Sequence, residues 1–127
     1  MAYKKKAKKS RRNLESAIVH VKSSFNNTII SVSSVEGDVI AQGSSGRLGY
    51  KGSRKSTPFA ATQIAANIAR DIKEMGVRKV DVRLKGPGAG RDAAVRAIGA
   101  AGINIDTLLD VTPLPHNGCR AAKKRRV

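Results

Sequence analysis

The sequence predicts an α/β domain: a five-stranded mixed sheet in the order 3-2-1-4-5, with two helices and basic tails. Three observations predict it. Short segments that alternate apolar and polar residues fill the first third of the body and recur twice later. Two apolar stripes at spacings of three and four separate those later segments. Positive charge, finally, is sorted rather than spread. Of 25 Lys and Arg, set against 9 Asp and Glu for a formal net charge of +16, seven lie in residues 1–12 and five in residues 120–127, with no acid in either stretch.

Residues 1–13 are too charged to pack and are expected to be a basic tail, disordered on its own. Residues 14–115 form the single α/β domain, a size that suits one modest core. Residues 116–127 form a basic C-terminal tail.

Within the domain, Ala17, Val19 and Val21 alternate with Ile18, His20 and Lys22, as in a strand with one wetter face. His20 is expected to be an ordinary strand side chain. Phe25-Asn26-Asn27 supplies a turn. Thr28 to Ser33 resumes with the β-branched Ile29, Ile30 and Val32. A second turn at Val35-Glu36-Gly37-Asp38 leads to a third strand, Val39 to Gln42, and the short connections make the three an antiparallel meander.

Gly43 to Ser56 (GSSGRLGYKGSRKS) holds four glycines and four serines in fourteen residues and is expected to be a loop. It ends in a helix start: Thr57 can cap, and Pro58 suits the first helical position, where a missing amide hydrogen costs nothing. Ala61, Ile64, Ala65, Ile68, Ile72 and Met75 then form one apolar stripe, and Gly76 is placed to end the helix. Val77 to Lys85 is a fourth strand. After Gly86-Pro87-Gly88-Ala89-Gly90, a second helix runs from about Asp92 to near Gly102 with Val95 and Ile98 inward. Ile103 to Val111 is the fifth strand, and Pro113 and Pro115 prevent its continuation.

A helix joining strands four and five makes them parallel, with a right-handed crossover. With strand four beside strand one, the carboxyl ends of strands 1, 3, 4 and 5 share one sheet edge. The Asn26-Asn27 turn, the loop 43–56, the loop 86–91 and the exit of the C-terminal tail then gather there, where open α/β sheets bind ligands. The N-terminal tail leaves from the opposite edge.

The charge balance points to a polyanionic partner. Removing both tails leaves 13 cations against 9 acids, and four of those cations, Arg47, Lys51, Arg54 and Lys55, share the acid-free loop. No signal-peptide core or membrane-spanning run follows the basic start, so a soluble intracellular protein without a membrane partner is expected. The lone Cys119 fits a reducing compartment. Asn26-Asn27-Thr28 matches the glycosylation sequon, expected here to be only a turn.

Enzyme readings fit poorly. Gly49 to Ser56 falls one residue short of the phosphate-binding pattern G-x-x-x-x-G-K-[ST], because Arg54 stands where glycine must let amides wrap a phosphate. A nucleotide-binding enzyme built on this near match is the alternative function. Gly86, Gly88 and Gly90 are spaced G-x-G-x-G rather than G-x-G-x-x-G, and Asp110, the nearest acid for a ribose, falls at a strand end. The sheet order is also that of ribonuclease H-like nucleases, which need a carboxylate cluster for two metal ions, yet the first strand has no acid. His116 and Cys119 are too few for a metal site. No cofactor, metal, catalytic residue or small-molecule substrate is expected.

Binding readings fit better. Lys4, Lys5, Lys6, Lys8, Lys9, Arg11, Arg12, Arg120, Lys123, Lys124, Arg125 and Arg126 in the tails can follow phosphates and release counterions. Arg47, Arg54 and Arg91 can each fork onto phosphate oxygens, with Lys51, Lys55 and Lys85 as further cations. Asn26 and Asn27 lie at the same edge. Gly86, Gly88 and Gly90 would let a backbone cradle approach an anion, although they can equally serve only the strand-to-helix turn. With Tyr3, Phe25, Tyr50 and Phe59 as the only aromatics, folded RNA read through backbone and shape suits the chain better than stacked single strands.

The run Val95-Arg96-Ala97-Ile98 through Gly102-Ile103-Asn104-Ile105-Asp106, and then Asp110 to Arg120 (DVTPLPHNGCR), resembles the signature of the small-subunit ribosomal protein eleven family. Phe25-Asn26-Asn27-Thr28, Gly86-Pro87-Gly88 and the basic tails extend the resemblance over nearly the whole chain. The Lys-Lys-Arg-Arg-Val ending and short N-terminal tail resemble the bacterial form. The resemblance implies a ribonuclease H-like fold without catalysis, and residence in the cytoplasm on the platform of the small ribosomal subunit. It implies binding to ribosomal RNA late in assembly, near the messenger RNA exit path and the Shine-Dalgarno helix. Ribosomal proteins seven, eighteen and twenty-one are the implied neighbours. Separately, Asn117-Gly118 is a candidate isoaspartate site, since glycine does not shield the asparagine side chain from the following backbone nitrogen, and it is equally a turn signal.

Overall fold

The computed structural model describes residues 15–52, 55 and 57–124. Along the chain run β1 (Ser16–Ser23), β2 (Thr28–Ser33), β3 (Val39–Ser44), α1 (Pro58–Glu74), β4 (Lys79–Lys85), α2 (Gly90–Ala100) and β5 (Asn104–Asp110). The strands form one sheet in the expected order β3-β2-β1-β4-β5. β1 pairs antiparallel with β2 and parallel with β4; β2 and β3 are antiparallel, and β4 and β5 parallel.

The pleat explains why one sheet face is covered and the other is not. Alternate residues of a strand point to opposite faces, and the register lines up Val32, Val19 and Val82 across β2, β1 and β4, with Ile30, Val21 and Leu84 in the next row. All six are buried. Over them lie Ile64, Ile68 and Ile72 of α1 and Ala94 and Ile98 of α2, in one continuous core. α1 packs on β2 and β3, α2 on β1 and β4, and the helices pack on each other, giving two layers. Each fully buried isoleucine or valine stabilises by about 1.5–3 kcal/mol relative to exposure.

The ends of α1 follow their sequence signals. Thr57 is the N-cap, its Oγ1 accepting from the Ala60 amide at 3.3 Å. At the other end Gly76 takes φ +88°, and the amides of Gly76 and Val77 donate to the carbonyls of Lys73 and Ile72. That left-handed exit satisfies two of the last helical carbonyls, and the buried pair Val77 and Ile72 seals it. This exit also delays β4, which begins at Lys79 rather than Val77.

Other boundaries differ from expectation, β5 running Asn104–Asp110 rather than Ile103 to Val111. β3 continues through Gly43 and Ser44, residues whose composition reads as loop. A β-carbon on Gly43 would lie 3.1 Å from both Ile64 and Ile68, so the missing side chain is what lets α1 lie against the strand. α2 starts at Gly90, two residues before Asp92, with Ala89 already at helical angles. A bulge between Val80 and Asp81 leaves Asp106 of β5 without a partner in the ladder.

Candidate nucleic-acid interface

Hydrogen bonds join the loops at the carboxyl edge. After β1 the chain turns at Ser24 to Asn27: the Ser24 amide donates to the Asn27 carbonyl (2.9 Å), and Ser24 Oγ accepts from the amides of Asn26 and Asn27. Asn27 Oδ1 accepts from the Thr28 amide at 2.8 Å, so this side chain shapes the turn, while Asn26 is exposed. The loop after β3 is tied in where Ser45 donates from its amide to the Thr28 carbonyl and from its buried Oγ to the Lys55 carbonyl. The loop after β4 is tied in by the Gly88 amide donating to the Ser23 carbonyl at 3.1 Å, and the chain leaving β5 by the Gly86 amide donating to Thr112 Oγ1, also at 3.1 Å. Four loops thus form one surface.

Within that surface the three glycines serve the packing of the loop itself. β-Carbons at Gly86, Gly88 and Gly90 would overlap the Ser23 carbonyl, Ser23 Oγ and Thr28 Oγ1 respectively, and Gly86 also has φ +98°. Gly88 and Gly90 are buried. The amides of Gly86 and Gly88 already have partners inside the fold. The turn reading therefore accounts for these glycines: they let the loop lie directly on the β1–β2 turn.

Arg91 is likewise turned toward the fold. Its Nη1 donates to the Gly86 carbonyl at 3.2 Å and to Asp110 Oδ2 at 3.1 Å. Asp110 also accepts through Oδ1 from the Thr112 hydroxyl (2.6 Å) and amide (3.0 Å). These Thr112 bonds first, and then Arg91, hold the Asp110 carboxyl below its ordinary range. The acid is thereby engaged in fixing the exit of the C-terminal segment. Among the described residues no group of three or more His, Cys, Asp or Glu is placed to hold a metal ion.

The cations outside this strap are presented to solvent. Arg47 reaches back to the Gln42 carbonyl at 3.4 Å yet is exposed, as are Lys51 and Lys85; Lys55 is half-buried. Arg120, Lys123 and Lys124 are exposed beyond the two prolines. The predicted contacts Lys4, Lys5, Lys6, Lys8, Lys9, Arg11, Arg12, Arg54, Arg125 and Arg126 lie outside the described residues, as does part of the near match to a nucleotide loop.

Two residues gain interest only from the structure. Phe25, in the β1–β2 turn, is 76% exposed, and Phe59, in the first turn of α1, is 63% exposed. In sequence Phe25 falls in a turn, and Phe59 counts only among the few aromatics. Their signal was positional, Phe25 following two serines at a strand end and Phe59 following the helix-starting proline.

A family model described as ribosomal protein S11 matches residues 17–126. The chain belongs to the ribosomal protein S11 family. Members are structural, non-enzymatic proteins of the small ribosomal subunit that bind its ribosomal RNA alongside other ribosomal proteins. The match runs from the second residue of β1 through every later strand and helix and all four loops of the carboxyl edge. The charge segregation and the family thus point to the same ligand, and no helix among the described residues is long and apolar enough to cross a membrane.

Proposed function

We propose that the chain is a bacterial-type member of its family with a ribonuclease H-like fold and no catalytic activity. It works in the cytoplasm, holding ribosomal RNA in the platform of the small subunit near the messenger RNA exit path and the Shine-Dalgarno helix, and it helps assemble that platform. The observation that carries this reading is the joining at one sheet edge of the loops that bear exposed Asn26, Lys51 and Lys85, beside the exit of the cationic C-terminal segment, with Arg47 of the same loop as Lys51 turned back along β3. Phosphate contacts from such an edge position RNA without reading its bases.

Ribosomal proteins seven, eighteen and twenty-one are the proposed protein neighbours. Residues 97–119 contain no Lys or Arg, and Leu108, Leu109 and Leu114 there are 56%, 49% and 80% exposed. In so cationic a chain, an exposed apolar stretch without cations suits protein better than phosphate.

Cross-linking in the assembled small subunit tests the placement. RNA cross-links from Lys51, Lys85 and the C-terminal segment, with protein cross-links from the β5 side, are expected; RNA cross-links confined to β5 would contradict it. A nucleotide titration tests the absence of enzyme-like function. No tight binding is expected, whereas magnesium-dependent ATP or GTP binding abolished by Lys55→Ala would overturn it.

A further inference from the structure

Both helices lie on one face of the sheet, and among the described residues nothing covers the other. The strand register says what that open face carries. On β1 the residues pointing there are Ile18, His20 and Lys22, and opposite them on β4 are Asp81, Arg83 and Lys85, pairing Ile18 with Asp81, His20 with Arg83 and Lys22 with Lys85. Lys22, Arg83 and Lys85 are exposed, and none makes an ion pair or side-chain hydrogen bond with a described residue. Asp81 is the acid of this row and is half-buried.

This arrangement is unfavourable for an isolated domain. Directly opposed residues of neighbouring strands have β-carbons about 4.5–5.5 Å apart, and like charges in that position destabilise a sheet. Lys22 and Lys85 are such a pair. The positive field also reaches the neighbouring ring, because the Arg83 charge adds to burial in lowering the His20 pKa. A polyanion laid over the face would neutralise what the fold leaves uncompensated.

The floor around the cations is mixed. Ser31 and Ser33 of β2, Gln42 and Ser44 of β3 and Thr107 of β5 share this face by register with half-buried Ile18 and Ile29, and exposed Val39 and Leu109 stand at its margins, Leu109 directly opposite Arg83. No Phe, Tyr or Trp stands on these strands, so large stacking platforms for bases are missing there, while hydroxyls and cations can meet phosphates and 2′-hydroxyls. Lys85, at the end of β4, links this face to the loop surface at the carboxyl edge.

We infer that the open sheet face, through Lys22 and Arg83, is a second RNA-backbone contact that continues the carboxyl-edge surface around Lys85. The inference rests on the proposed rRNA-binding function and adds a face to it. RNA suits the face because its cations, which pair with no acid among the described residues, are continuous with the proposed phosphate-binding edge and match a polyanion in sign and in place; exposed Leu109, opposite Arg83, marks where that contact gives way to the apolar β5 side.

The test compares the full chain with Lys22→Gln/Arg83→Gln and, separately, Arg47→Gln/Lys51→Gln, titrated with small-subunit rRNA over a range of salt. Each lost phosphate contact reduces the slope of log K against log salt by roughly 0.7–0.9, so Lys22→Gln/Arg83→Gln should lower the slope by up to about 1.8. Lys22→Arg/Arg83→Lys, which keeps both charges, should restore it. Circular dichroism and Tm of each variant establish that the domain is folded. Unchanged affinity and slope in Lys22→Gln/Arg83→Gln, with a loss in Arg47→Gln/Lys51→Gln, would overturn the inference while leaving the rRNA-binding function standing. Unchanged rRNA binding with weakened incorporation beside protein neighbours would also overturn it, making the face a protein surface. A wild-type chain with no affinity for the rRNA would overturn both.

Discussion

Arg91, in the first turn of α2, donates from Nη1 to Asp110 Oδ2 at the end of β5, 3.1 Å away, and so ties the glycine loop to the start of the C-terminal segment. Both ends of this strap are solvent-accessible, so its contribution to stability is small and screened by salt. A double-mutant cycle with Arg91→Gln and Asp110→Asn should show favourable coupling at low salt that fades at high salt. Asp110 has a lowered pKa in the fold, so the stability it adds is fully present above its ordinary value near 3.8 and is lost as pH falls through the depressed one. Additive effects at neutral pH and low salt would show that the contact does nothing. For RNA, Arg91 is a weaker candidate than its neighbours, because Gly86 and Asp110 compete with any outside phosphate for its Nη1.

Gly88 should not tolerate a side chain. A methyl group there would meet Ser23 Oγ, the Ser24 carbonyl and the Ser23 carbonyl carbon, two of them backbone atoms that cannot swing away. Gly88→Ala should therefore cost about 1–3 kcal/mol in chemical denaturation, the usual range for overpacking. Wild-type stability would show that the loop has room after all.

His20 offers a pH test. Its Nε2 lies 3.1 Å from Ser33 Oγ, and burial, with the Arg83 charge second, lowers its pKa from the ordinary value of 6.5. The fold thus prefers the neutral ring: the stability this contributes is complete above pH 6.5 and declines as pH falls from there through the lowered pKa. His20→Gln should flatten that part of the stability profile, and an unchanged profile would assign the pH dependence elsewhere.

Asn117 is held at φ +60°, the one non-glycine residue among those described with a positive φ, which supports the turn reading of Asn117-Gly118. Its segment is exposed. Attack by the Gly118 backbone nitrogen on the Asn117 side-chain carbonyl carbon expels ammonia and gives a succinimide, which water opens to aspartate or isoaspartate. Peptide mapping of aged protein should find isoaspartate at this position; intact Asn117 would refute it.

The topology was legible because the sequence states it redundantly. Alternation in β1, β2 and β4, the Thr57-Pro58 start and Gly76 stop of α1, and the short turns all lead to the order 3-2-1-4-5, and that order brings the four loops together. The positions least legible in the sequence are glycines, whose role depends on tertiary neighbours. Gly43 resembles a loop residue but makes room for α1. Gly86, Gly88 and Gly90 resemble a phosphate cradle but make room for the loop itself to sit on Ser23 and Thr28. Exposure was partly hidden, since Leu108 reads as an apolar residue inside the fifth strand and yet is 56% exposed. The charge of the open face was hidden too, because Lys22 and Arg83 lie far apart in sequence and become neighbours only through the β1–β4 register.

The most direct test of the account is the affinity of the purified chain for small-subunit rRNA as a function of salt. If phosphate contacts from the carboxyl edge and the tails carry binding, log K should fall linearly with log salt, losing roughly 10³–10⁵ in affinity between about 50 and 200 mM for some 6–10 contacts. An affinity indifferent to salt over that range would contradict it.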